Sequence, residues 1–192
     1  MTLQELASKW RQYAFKQQED LMRNHHLDFK IKLHSIDDSR LNYVLSPVNV
    51  GSHQFLPFIE FIDVTRRYKK EDDDTRKSTN KERSLCYAAH QDVLVYSWYA
   101  RLLDYYYEGH VAKKSFQSSV IAYRRIPNTK DVGEGKSNIH FAEEVFNAVR
   151  EMDGCTVLTF DVEKFFPSID HGQLKEMWCT LLDTGELPKD HY

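Results

Sequence analysis

The chain has 192 residues, of which 41% are hydrophobic and 13% aromatic, and its formal net charge is -3. That length supports one substantial core, or a core with a small appendage, and that composition excludes a disordered chain. The charge balance excludes a uniformly basic nucleic-acid-binding module, so any phosphate contact has to come from local clusters of Lys and Arg.

Thr2 and Glu5 have capping-box spacing, and Leu3, Leu6, Trp10, Ala14 and Leu21 follow near helical period, which predicts an opening helix. From Leu27 to Leu33 apolar and polar residues alternate, the period of a half-buried strand. Residues 35–40 and 46–53 are turn-rich. Phe55 to Val64 is apolar apart from Glu60 and Asp63 and predicts a covered strand that Pro57 keeps from a regular start. Arg66 to Asn80 is dominated by charge and reads as a loop or hairpin tip. Lys69, Lys70, Arg76, Lys77, Lys81 and Arg83 form one basic cluster there, diluted by Asp72, Asp73 and Asp74. A helix is expected from about Asp92 through Tyr107, with Gly109 able to end it. The run Tyr105, Tyr106, Tyr107 reads as a helix end packed in the core, with base stacking as the alternative.

Ser115 to Arg125 reads as extended, followed by a loop containing Pro127, Gly133 and Gly135. Lys113, Lys114, Arg124, Arg125, Lys130 and Lys136 make the second basic cluster. Ser137 is placed to cap a helix carrying Ile139, Ala142, Val145, Phe146, Val149 and Met152 on one side. Asp170 with Gln173 caps a last amphipathic helix through Leu181. Cys86, Cys155 and Cys179 have no C-x-x-C spacing and an odd count, so reduced thiols are expected, two of them in predicted core segments. No apolar run reaches the length of a membrane span and the N-terminus lacks a signal-peptide apolar region; a cytoplasmic protein without a membrane partner is expected.

The stretch with the most chemistry in it follows Gly154. Cys155 to Phe160 is apolar and β-branched and predicts a strand, and Asp161 stands where it ends, with Phe165, Phe166 and Ile169 close behind. A carboxylate at the mouth of a buried strand is costly unless a cation or donors meet it. A magnesium-dependent phosphoryl-transfer site needs such a group, because the carboxylate holds the metal. Glu163, two residues on, reads as a surface residue beyond the turn.

From Asp161 to His171 the residues fit D-x-x-x-F-F-x-x-I-D-H, which resembles motif A of bacterial reverse transcriptases related to group II intron enzymes. Two upstream blocks carry the resemblance further. Lys81, Arg83, Leu85 and Asp92 match a fingers motif K-x-R-(P)-L-x-x-x-x-x-x-D, which is followed by a helix. Val120 to Arg125, then Gly133 to Ala142, resemble the aromatic-Arg segment and Ser-capped helix that precede motif A. Departures are Ser84 in place of a proline and Pro167 at a position that is more often small or polar. The likeness covers roughly residues 81 to 182, and its wording is nearest to the defence-associated (antiphage) members.

The resemblance implies an α+β fold, helix-rich with antiparallel strands: the fingers and the start of the palm of a right-hand polymerase. It divides the chain into an N-terminal extension (1–64), fingers (65–154) and the start of the palm (155–192). Asp161 would be the catalytic residue and a metal ligand, with the Val162 carbonyl as a further ligand. Phe166 would screen the sugar 2′-hydroxyl. Lys81 and Arg83 would reach the incoming triphosphate, with an ion pair from Arg83 to Glu82 or Asp92 as the alternative. Arg124 and Arg125 would contact nucleic acid, with a structural pair to a palm carboxylate as the alternative for Arg124. Two Mg²⁺ ions, deoxynucleotides, an RNA template (a dedicated non-coding RNA is one candidate) and a DNA product are implied, and an oligomer is compatible with all of this.

The second metal-binding block of that family, Y-x-D-D, is not in the chain, so these residues alone are expected not to polymerise. Two other classes remain open on sequence: a non-catalytic RNA-binding or assembly protein built on a polymerase-like half-fold, and a template-independent or protein-primed DNA polymerase.

Overall fold

The computed structural model describes residues 1–23, 26, 36–70, 76–128, 135–162 and 165–192, excluding the side chains at 69, 70, 76 and 77. The fold is α+β and helix-rich, about 51% helical, with one antiparallel strand pair among the described residues. Helix α1 (Leu3–Lys16) starts as its residues predict: Thr2 Oγ1 accepts from the Glu5 amide at 3.2 Å, and Glu5 Oε2 accepts from the Thr2 amide at 2.8 Å. Its buried positions Leu6, Trp10 and Ala14 recur every four residues and so share one face. A single turn α2 (Gln18–Leu21) follows, then α3 (Asp38–Val44), capped by Asp37 at 2.9 Å from the Arg40 amide, and α4 (Pro47–Val50), which Pro47 can open because that position needs no amide donor.

Strands β1 (Ile59–Lys70) and β2 (Arg76–Tyr87) form a twelve-residue ribbon in which Asp63 faces Arg83, Thr65 faces Lys81 and Arg67 faces Thr79. Three longer helices complete the chain: α5 (His90–Val111), α6 (Asn138–Glu151) and α7 (His171–Leu182), with 3₁₀ turns at Phe166–Ser168 and Lys189–His191. Asp170 caps α7 through a 2.9 Å bond from the Gln173 amide, as its spacing predicts. No helix among the described residues is long and apolar enough to cross a membrane.

Chain contacts group into two units: Met1–Tyr107 with Trp178–Tyr192, and Glu108–Met177. The core of the first unit joins α1, α3 and the early turns of α5. Trp10 packs on Trp98 with ring centroids 5.5 Å apart and donates from Nε1 to Ser97 Oγ at 3.1 Å, while Leu41, Val44 and Leu94 are fully buried. Tyr105 and Tyr106 pack against this core, in keeping with the helix-end reading of the tyrosine run.

The C-terminal residues close onto the same unit. Tyr99 donates to Asp190 Oδ2 at 2.6 Å, and the His191 ring stands edge-on to Tyr99 and takes a bond from Trp178 Nε1 on its Nδ1 at 3.1 Å. Burial pushes the Tyr99 hydroxyl above its usual value, and its bond to Asp190 adds to the shift. Burial also pushes the His191 imidazole below its usual value, with Asp190 opposing in part. Protonation would remove the Nδ1 lone pair that Trp178 uses.

A depressed histidine pKa stabilises the fold above the unfolded value of about 6.5. That contribution is lost as pH falls through the lower folded value. We therefore expect the unfolding free energy of the first unit to drop as pH falls below about 6.5, and the pH slope to flatten in His191→Leu. Urea melts followed by tryptophan fluorescence at several pH values give both slopes, and equal slopes would remove His191 from the account.

Several elements differ from their sequence reading. The expected strand at Leu27–Leu33 lies outside the described residues. The strand expected over Phe55–Val64 begins only at Ile59, and Phe61, Ile62 and Val64 are each more than half exposed, because a two-stranded ribbon buries neither face unless another layer covers it. Of the charged stretch read as a loop or hairpin tip, residues 66–70 and 76–80 form the outer part of that ribbon, in keeping with the hairpin alternative. Ser115–Arg125, expected to be extended, is a series of turns, with Tyr123 at a positive φ of 59°.

Cys155–Phe160 has no ladder partner among the described residues, and Leu158 and Phe160 are 73% and 86% exposed. Apolar β-branched sequence predicts a strand only when neighbouring strands are there to pair with it. Of the three thiols, two of which were expected in core segments, Cys86 and Cys155 are exposed and Cys179 is half-buried. Helix α6 forms as predicted, yet its apolar side is open, with Ile139 79% exposed.

Candidate active site

The resemblance-derived residues fall on three surfaces. On β2, Lys81 and Arg83 are two apart and therefore project to one side of the ribbon, the side that also carries Asp63, Thr65 and Arg67. Lys81 is exposed. Arg83 Nη1 donates to Thr65 Oγ1 at 3.1 Å and lies 3.8 Å from Asp63 Oδ2, while the Thr65 hydroxyl donates to the same Asp63 oxygen at 3.2 Å. The ion-pair partner of Arg83 is thus Asp63 across the ribbon, and neither Glu82 nor Asp92 takes that place. This fixes one end of the guanidinium by a contact that costs little to rearrange, since both partners are about 40% exposed.

Asp92 is instead buried within the first unit. Its Oδ1 accepts from His53 Nε2 at 2.7 Å, its Oδ2 accepts from the Leu56 amide at 3.0 Å, and the other His53 nitrogen lies 3.0 Å from the Tyr43 hydroxyl. This chain ties the segment leading into β1 to the first turn of α5. Sequence reading took Asp92 as the last residue of a motif, a helix start and an alternative partner for Arg83, and did not find His53 or Tyr43 beside it. Their separation of 39 residues from His53 to Asp92 leaves no local signal.

In the second unit, Asp161 is exposed and has no ion-pair partner among the described residues. Val162 follows at 63% exposure and Phe166, on the 3₁₀ turn, at 71%, its ring edge-on to Phe165 with centroids 5.3 Å apart. Glu163 lies outside the described residues. An exposed carboxylate without a cationic partner, with a backbone carbonyl next to it, is a hard oxygen donor set of the type Mg²⁺ takes. It is only part of such a set, because among the described residues no three His, Cys, Asp or Glu side chains gather.

Arg124 is committed elsewhere in that unit. Its Nε and Nη2 clasp the two Glu108 oxygens at 2.7 and 2.9 Å, and Nη1 donates to the Gln117 and Val120 carbonyls at 2.9 and 2.6 Å. The fork closes the turns at 112–123 onto the end of α5, and its hydrogen bonds hold the Glu108 carboxyl below the usual carboxylate range. Arg124 therefore makes a structural carboxylate pair, but with Glu108, in the stretch expected to be fingers, and not with the palm carboxylate that was the alternative. Arg125 is exposed and lines a half-open cavity of about 390 Å³ together with Lys136 and Phe141, residues that sequence reading left without a role there. Lys136 is paired with Glu144. No family model and no curated protein matches this chain.

Proposed function

We propose that this chain is the fingers and start-of-palm portion of a reverse transcriptase, an RNA-directed DNA polymerase of the defence-associated type acting in the cytoplasm. The observation that carries the reading is the run from Asp161 to His171, a D-x-x-x-F-F-x-x-I-D-H block whose last aspartate caps α7 and whose first is an exposed carboxylate free of ion pairs among the described residues. In support, the block is preceded in order by a basic ribbon bearing Lys81 and Arg83 and by the Ser137-capped helix α6.

In this reading Asp161 and the Val162 carbonyl would hold Mg²⁺, which when bound would supply positive charge for an in-line phosphoryl transfer. Arg83 presents a planar fork to triphosphate oxygens while Asp63 and Thr65 hold its other edge, and Lys81 adds a point charge two residues away. Phe166 excludes the sugar 2′-hydroxyl by bulk. Deoxynucleotides are the substrates, RNA the template and DNA the product.

The test is Mg²⁺-dependent nucleotide incorporation by the full reading frame that contains this chain, on an RNA template. No incorporation on any template, and none without a template, would overturn the proposal. Phe166→Ala is expected to raise ribonucleotide incorporation relative to deoxynucleotide by at least about tenfold, the equivalent of roughly 1.4 kcal/mol of discrimination. Competition assays with paired dNTP and rNTP read the ratio directly, and an unchanged ratio would remove the gate role.

A further inference from the structure

We propose that the cavity of the second unit binds a nucleoside phosphate, taken as a free nucleotide or as one unpaired nucleotide of an RNA strand, with its phosphate on Arg125 and Lys136. The choice of a nucleotide over other ring-bearing anions rests on the polymerase reading; the cavity and its charge do not.

The cavity, about 390 Å³, is of a size that small-ligand sites use. One wall is apolar, made by Ile121, Ile126, Pro127 and Phe141, and suits a planar base. The charges on the other walls do not cancel. Arg124 is neutralised by Glu108 and Lys136 is paired with Glu144, while Arg125 has no ion pair among the described residues, which leaves one positive charge over.

Four hydrogen bonds already occupy the Arg124 guanidinium, so Arg124 builds the wall and Arg125 is the arginine open to a ligand. Lys136 sits over the Phe141 ring at 5.7 Å, and its amide donates to the Ile126 carbonyl at 2.8 Å, so the second cation is anchored to the apolar wall. The Pro127 to Gly135 bridge lies beside that bond. An anionic group beside a flat hydrophobic surface is the pairing a nucleotide presents, and an arginine fork matches phosphate oxygens in two directions at once.

Calorimetric titration of the chain with AMP, with a single-stranded RNA tetranucleotide and with inorganic phosphate tests this. Saturable AMP binding weakened at least about tenfold by Arg125→Ala, and weakened by Phe141→Ala, supports a free nucleotide. Arg125-dependent binding of the tetranucleotide without AMP binding supports a strand nucleotide. Arg125 is exposed, so its variant keeps the fold and the comparison stands even if Phe141→Ala unfolds. Binding of phosphate as tight as that of AMP would overturn the base contact, and binding indifferent to Arg125 would overturn the site. Loss of the polymerase reading would show instead as a full-length protein that incorporates nothing while the Arg125-dependent binding persists.

Discussion

Replacing Asp161 with alanine is expected to lower nucleotide incorporation by the full-length protein by about 10³-fold or more. The reason is electrostatic. A metal that stabilises charge on transferring phosphoryl oxygens contributes several kcal/mol to the transition state, and ~4 kcal/mol corresponds to about three orders of magnitude. Asp161 is exposed and pairs with no cation among the described residues, so its removal breaks no packing and no ion pair. Folding is therefore expected to be unchanged, and a urea melt on the same preparation separates the two effects. Asp161→Glu tests geometry: it keeps the charge but lengthens the arm, and should recover only a small part of the rate. Synthesis by the alanine variant at wild-type rate would take Asp161 out of the mechanism.

Asp92→Ala is the stability counterpart, expected to cost the first unit about 3 kcal/mol or more, the range for removing one member of a buried hydrogen-bonded pair. Two donors, His53 Nε2 and the Leu56 amide, would then face an empty buried site. Asp92→Asn should be much milder, about 1 kcal/mol. With Oδ1 turned to the Leu56 amide, the new amide group can donate to His53 Nε2. The histidine can then carry its proton on Nδ1 and donate to Tyr43, whose hydroxyl lies 3.4 Å from the Asn49 carbonyl.

All three tryptophans, Trp10, Trp98 and Trp178, belong to the first unit, so fluorescence-detected unfolding reports that unit alone. Equal losses in the alanine and asparagine variants would mean that the hydrogen-bond chain does not reverse in this way.

What the ribbon and the buried aspartate share is that neighbours in space decide their roles. Asp63 and Arg83 are each legible as charged residues, but only the pairing register makes them partners. A shift of one residue would move Asp63 to the other face of the ribbon, away from Arg83. Likewise Arg124 and Arg125 are adjacent and chemically identical in sequence. Glu108 and two carbonyls occupy the first, and nothing among the described residues pairs with the second.

The sequence by itself determined the helix starts at Thr2, Ser137 and Asp170, the helix-rich α+β class and the order of the motif-like blocks. Capping and helical period depend on residues three or four apart, and the chain carries that information locally. The tertiary structure alone decided that Asp92 meets His53, that Tyr99 meets Asp190 across 91 residues, and that the apolar run before Asp161 lies exposed, with no strand partner among the described residues. A carboxylate, a β-branched run or an arginine acquires its partner only when distant chain closes on it, and no local pattern specifies which distant segment that will be.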